Sequence, residues 1–224
     1  HVMDHREFLK SLSNEERAQF NAQTNAHGLL HLAFYLGLMA LLALGIVRQI
    51  PGWQVLMLLL GIMQVFLFTL QHETTHDTAF RLPLLNKLVR VICGILLLNP
   101  PVWFRYFHFA HHRHTHDPAH DPELSGAKPK TYRQYVWHVT GLPLWWWMMA
   151  VIINNASGRS EDPFIPSKAR RRVKQEAQMM IVFYLSLLAL SVVLWTPWLL
   201  YLLIFPVLLG QPFLLRYLMA GHWR

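Results

Sequence analysis

Charge is scarce in this chain. Asp, Glu, Lys and Arg make up only 14% of its residues, where a soluble domain carries about 25%, so an ordinary water-facing surface is excluded. Cysteine is scarcer still. The single Cys93 rules out an internal disulfide framework and the paired thiolates of a structural zinc site. Its apolar neighbours make a packed thiol the expectation. Acidic residues are outnumbered, with 12 Asp and Glu against 20 Lys and Arg, and the sequence contains no internal repeat or low-complexity tract.

What is abundant is hydrocarbon. Hydrophobic residues make up 54% of the chain, mean hydropathy is +0.25, and the apolar residues gather in four runs at 29–47, 53–70, 179–195 and about 198–215. Each run approaches the ~20 residues that cross ~30 Å of bilayer hydrocarbon. Arg48–Gly52 joins the first two runs and Thr196–Pro197 the last two, so the runs pair as tight hairpins. The expected fold is an all-α integral membrane protein with four transmembrane helices in two hairpins. Residues 71–178 form a cytoplasmic, partly interfacial helical cap in this reading.

The basic residues set the orientation. Of the 20 Lys and Arg, the short turns hold only Arg48, the segment 71–178 holds fourteen and the first 27 residues hold three. The positive-inside tendency therefore places both termini and the long segment in the cytoplasm. The net charge of +8 then reflects topology and contact with anionic headgroups rather than nucleic acid, and Arg170–Lys174 suits that contact. The first 27 residues are too polar for a signal peptide, and His1-Val2 ahead of Met3 has the form of an expression-tag remnant. Within the long segment, 84–104 reads as one or two helices on or dipping into the membrane surface. Leu142–Ile153 is too short to span, its consecutive tryptophans suit the headgroup zone, and 154–167 reads as a loop.

Histidine carries the chemistry. Eight of the 14 histidines fall between positions 72 and 120. His72-Glu-Thr-Thr-His76 begins at the end of the second run, and helical i, i+4 spacing puts both imidazoles on one face. His108, His111 and His112 repeat that logic at i, i+3 and i+4. His114 and His116 fall off the face, and Asp117-Pro118 marks the helix end. Isolated His27, His31 and His138 read as hydrogen-bonded or interfacial residues. Many imidazoles without thiolates suit an iron that meets dioxygen. Glu73, Asp77, Asp117 and Asp121 are candidates to accept the second ring N–H of a ligating histidine, with Glu73 and Asp117 foremost. His120 and the Asp121-Pro-Glu123 after it also read as plain loop polarity. HETTH matches the HExxH of zinc proteases as well, with Glu73 as general base, but that reading leaves the second histidine group without a role.

The stretches HETTHDTAF and WFRYFHFAHHRHTHDPAHDPEL resemble the first two histidine boxes of the membrane fatty acid desaturase and hydroxylase superfamily. The resemblance implies two iron ions held by box histidines above four transmembrane helices, with dioxygen as co-substrate. It also implies electrons from a ferredoxin, rubredoxin or cytochrome b5 type of carrier, and a membrane lipid or acyl substrate whose unactivated C–H bond becomes an alkene or an alcohol. Carried onto this chain, the ligands are His72 and His76, then His108, His111 and His112. His222 follows the fourth run where members place another ligand, although its Ala-Gly-His-Trp setting departs from their acidic-His form. The family's third box, HxxHH, lies beyond the last span, and a continuation past Arg224 is expected to carry it. Acyl desaturation in a bacterial inner membrane leads. Hydroxylation or ketolation of a lipid or carotenoid comes second, followed by a zinc metalloprotease and a non-catalytic lipid- or partner-binding member. Phe66, Phe68, Trp103, Phe104, Trp145 and Trp146 are candidate walls of an acyl tunnel, with ordinary packing the first expectation for each.

Overall fold

A computed structural model describes residues 11–20, 25–126 and 128–222, except for the side chains of 20 and 220–222. Every regular element among the described residues is helical. A short α1 (Asn14–Phe20) opens with a capping box, in which the Glu16 amide donates to Ser13 Oγ and the Ser13 amide to Glu16 Oε2. Then come α2 (Asn25–Val47), α3 (Trp53–Thr75), α4 (Pro83–Leu96), α5 (Pro101–Arg113), α6 (Tyr132–Val139), α7 (Leu142–Ser157) and α8 (Ser167–Val193). A π-helical turn, Leu200–Ile204, leads into α9 (Phe205–His222).

Four helices are long and apolar enough to cross a membrane: α2, α3, α8 and the stretch Leu200–Met219. The pairs α4–α5 and α6–α7 are bent by 100° and 54°, and counting each pair as one crossing would raise the number to six. Large side chains such as Leu30, Phe34, Val182 and Val193 point outward from the spans, as a lipid-facing surface requires. The apolar run at 179–195 is only the second part of α8, which starts at Ser167 and carries the Arg-rich 170s as helix. Likewise α7 continues through Ser157 before Gly158 (φ +74) ends it, so the loop read at 154–167 is shorter than expected.

Prolines in the last span leave a mark. Pro206 has no N–H, so the carbonyl of Leu202, four residues earlier, loses its usual helical donor. Gln64 of α3 fills the place, donating from Nε2 at 2.5 Å. The backbone there follows the wider π geometry. Beside it, a Cβ on Gly61 would collide with the Pro206 backbone, and one on Gly210 with the backbone of Gly61. α3 and α9 therefore touch backbone to backbone, the close approach that small residues allow between membrane helices.

An aromatic core lies under the histidine segment, with Trp103, Phe104 and Phe107 of α5 packed on Met148, Ile165 and Val173. Trp103 stacks on Phe107 with ring centroids 4.9 Å apart. Phe68 meets Phe104 edge-on, Phe66 lies beside Tyr217, Trp145 packs against the cluster around Val65, and Trp146 is 82% exposed. These six aromatics serve as packing and surface.

Candidate metal centre

The end of α3 is held from three sides. Buried Gln71 and Asn99 exchange two hydrogen bonds, Gln71 Nε2 to the Asn99 carbonyl at 3.1 Å and Asn99 Nδ2 to Gln71 Oε1 at 3.0 Å. The last carbonyls of a helix have no internal donor. Here two arginines supply one, Arg90 of α4 donating to the Thr74 carbonyl at 2.7 Å and Arg105 of α5 to the Thr75 carbonyl at 2.8 Å. Asp77 joins both guanidinium groups, at 3.2 and 3.0 Å. His72 in the last turn and His76 at the C-cap are thereby fixed against α4 and α5.

α5 is anchored at its other end. It starts with Pro100-Pro101, and Pro100 offers no side-chain cap. Glu176, buried on α8 and far along the chain, accepts from the amides of Val102 and Trp103, each at 2.9 Å. A carboxylate is the favoured partner for these orphan amides and for the positive end of the helix dipole.

With both helices fixed, four imidazoles converge. His72, His76, His108 and His112 each offer a nitrogen, and the four nitrogens lie within 4.8 Å of one another. His108 is at the centre and buried, with its Nε2 2.9 Å from Nε2 of both His76 and His112. Phe104 stacks beneath it, 5.4 Å between centroids and 16° between planes. Burial lowers the His76 imidazole below its usual pKa. Burial together with neighbouring His72, His112, His76 and His111 pushes His108 down to about 3, so it is neutral near pH 7.

His111 takes a different position. Its Nδ1 lies 3.0 Å from both carboxylate oxygens of Asp121 and 3.3 Å from Glu123 Oε2. Asp121 is buried, and its Oδ1 also accepts the Glu123 amide. A proton on Nδ1 leaves Nε2 as the lone-pair donor, the tautomer a carboxylate typically selects in a metal-bound histidine. The weakly favoured carboxylates are placed elsewhere: Glu73 is exposed and accepts from Thr78 Oγ1, while Asp117 pairs with His120 at 2.7 Å. Asp77 goes to the arginines. His116 is exposed. The backbone of α9 reaches His222, but the side chain of that residue lies outside the described set.

The donor set fits a metal ion. One ring nitrogen carries either a single proton or a single lone pair, so His108 Nε2 cannot satisfy two imidazole nitrogens at 2.9 Å by hydrogen bonding. A cation among them accepts every lone pair at once. All four donors are imidazole nitrogens, which metals such as iron, copper and zinc accept.

The sequence pattern of the fatty acid desaturase family matches residues 51–224. The chain belongs to that family. The match covers the second span, both histidine groups, Glu176 and the last span, and the family is one of oxidoreductase-type enzymes acting at membranes. No curated protein and no solved structure matches the chain. Sequence reasoning passed over three residues that shape this desaturase-family centre, Arg90, Arg105 and Glu176. Of these only Arg90 carried a hint, as a charge within an apolar stretch.

Proposed function

We propose that this chain is a membrane-bound di-iron oxidoreductase that uses dioxygen and an external electron donor to desaturate a fatty acyl chain. The observation carrying this reading is the convergence of His72, His76, His108 and His112 from two helices on one point, in a chain of the fatty acid desaturase family. In this proposal His72, His76, His108, His111 and His112 are iron ligands, His222 is a further one, and the histidine groups face the cytoplasm of a bacterial inner membrane. The electron carrier is of ferredoxin, rubredoxin or cytochrome b5 type. Iron held there would supply the activation of dioxygen and the removal of hydrogen from an unactivated C–H bond.

The chain's own contribution is placement. The neutral ring of His108 presents its lone pair without a proton to displace, and Asp121 holds His111 in one tautomer. Phe104 covers one face of His108, and the aromatic layer of Trp103 and Phe107 keeps water from that side. Hydroxylation or ketolation of a lipid would use the same placement, with a different end to the reaction. The zinc-protease reading requires Glu73 to face the metal as base, whereas its carboxylate is engaged by Thr78.

The test is metal and product analysis of the purified protein and of membranes that express it. Iron is expected, together with new double bonds in the membrane acyl chains, both lost in His108→Ala and His72→Ala. Zinc as the only metal, with peptidase activity dependent on Glu73, would overturn the proposal. So would a protein that binds little metal of any kind.

A further inference from the structure

A second set of metal-type donors lies in the turn that follows α5. His114, Asp117 and His120 each offer one ligand atom, and the three atoms lie within 4.8 Å of one another, sharing no residue with the four-histidine group. They lie beyond the end of α5 at Arg113, where no helix sets their positions. The turn itself brings them together. The chain reverses through His116, held at φ +68, a left-handed conformation that costs energy for a residue with a side chain.

Hydrogen bonds close the turn. The Asp117 amide donates to the His114 carbonyl and the Asp121 amide to the Asp117 carbonyl, both at 2.8 Å. Asp117 Oδ1 accepts the Ala119 amide at 3.0 Å. Its Oδ2 lies 2.7 Å from His120 Nδ1, and the His120 ring is 5.4 Å from that of His114 between centroids. Hydrogen bonding accounts for the Asp117–His120 pair. The third donor, His114, is placed where a cation between the three would need it.

We propose that His114, Asp117 and His120 form a separate site for a divalent cation of the zinc class. Two imidazoles and one carboxylate are a borderline donor set, suited to zinc and its neighbours rather than to magnesium or calcium. Three protein donors leave a fourth tetrahedral position for water. The side chains of Asp117 and His120 are 43% and 66% exposed, so the cation enters from solvent without passing the buried histidines. The site also has a connection to the first. The Asp117 carbonyl holds the amide of Asp121, and the Asp121 carboxylate holds His111. A cation at the turn therefore clamps the support of His111 without touching it.

The experiment counts metals. Protein carrying its resident metal is equilibrated with buffered zinc, freed of excess, and assayed for zinc and iron per chain, beside Asp117→Asn, His120→Gln and the double variant. The expected result is one zinc per chain that the double variant loses, with at least a tenfold weaker zinc affinity in each single variant and iron content unchanged. Backbone hydrogen exchange across the turn should slow with zinc in the wild type alone. Equal zinc uptake by wild type and double variant would overturn the site, because other histidines would then be holding it. Loss of iron together with zinc in the correctly folded variants would overturn its separateness. The inference stands apart from the iron proposal: a wild-type chain without iron that still takes up zinc at the turn would sink that proposal and support this one.

Discussion

Both carboxylate oxygens of Asp121 lie 3.0 Å from Nδ1 of His111, ten residues back along the chain and across the end of α5. The pair decides which nitrogen of His111 is free. Removal of such an outer partner typically costs 10–100-fold in metal affinity, so Asp121→Ala should retain iron that far more weakly against a chelator. Glu123→Gln, which alters the longer contact, should do less. Equal iron retention in all three proteins would remove Asp121 from this role.

Glu176 anchors the first turn of α5 through two amides. A hydrogen bond contributes about 0.5–1.5 kcal/mol net, and Glu176→Ala leaves the buried Trp103 amide and the half-buried Val102 amide without this partner. It should lower the thermal unfolding temperature in detergent and reduce iron occupancy together. Glu176→Gln keeps one acceptor and should fall between. Unfolding that drops while iron occupancy stays full would separate the anchor from the centre.

The depressed pKa of His108 makes a statement about acid. In the unfolded chain its imidazole returns to about 6.5, while burial in the folded chain pushes it down to about 3. Between those values the unfolded state binds a proton that the folded state refuses, so this contribution to stability falls as pH is lowered through the window and is constant above it. Metal-free protein should therefore melt at lower temperature as pH drops from about 6.5 toward about 4, and His108→Leu should flatten that slope. An identical slope in the variant would assign the acid sensitivity to other groups.

Gly61 and Gly210 leave no room for a methyl group. Gly61→Ala drives a Cβ into the Pro206 backbone, which cannot swing aside as a side chain can. Overpacking a tight contact costs about 1–3 kcal/mol, and here the helices themselves must part. Gly61→Ala is expected to unfold at markedly lower temperature, whereas Gly37→Ala, which meets nothing within 4 Å, should be near neutral. Matching melting curves for the two variants would refute the contact.

The spans were legible because a bilayer writes its thickness directly into the sequence as runs of apolar side chains. Their ends were not. α8 begins at Ser167 because helix hydrogen bonding continues into the aqueous region, and hydropathy reports only the part within hydrocarbon. The spacing of His72 with His76, and of His108 with His112, was readable since helix geometry is local. Asp121 is among the four acids that the sequence offers for such a role, but which of them meets His111 is decided by the turn of a loop; Arg105 and Glu176 act across separate helices, and no short-range period encodes those contacts. Pro100-Pro101 starts a new helix without a side-chain cap, and which carboxylate replaces that cap depends on the packing of α8.

The distance in sequence between Trp103 and Glu176 has a consequence for biogenesis. Chains are synthesised at about 5–20 residues per second, and the 73 residues between the two partners correspond to roughly 4–15 s of translation. For that interval the segment bearing His108, His111 and His112 exists without its N-terminal anchor. The first turn of that segment gains its cap only once α8 has been made as far as Glu176.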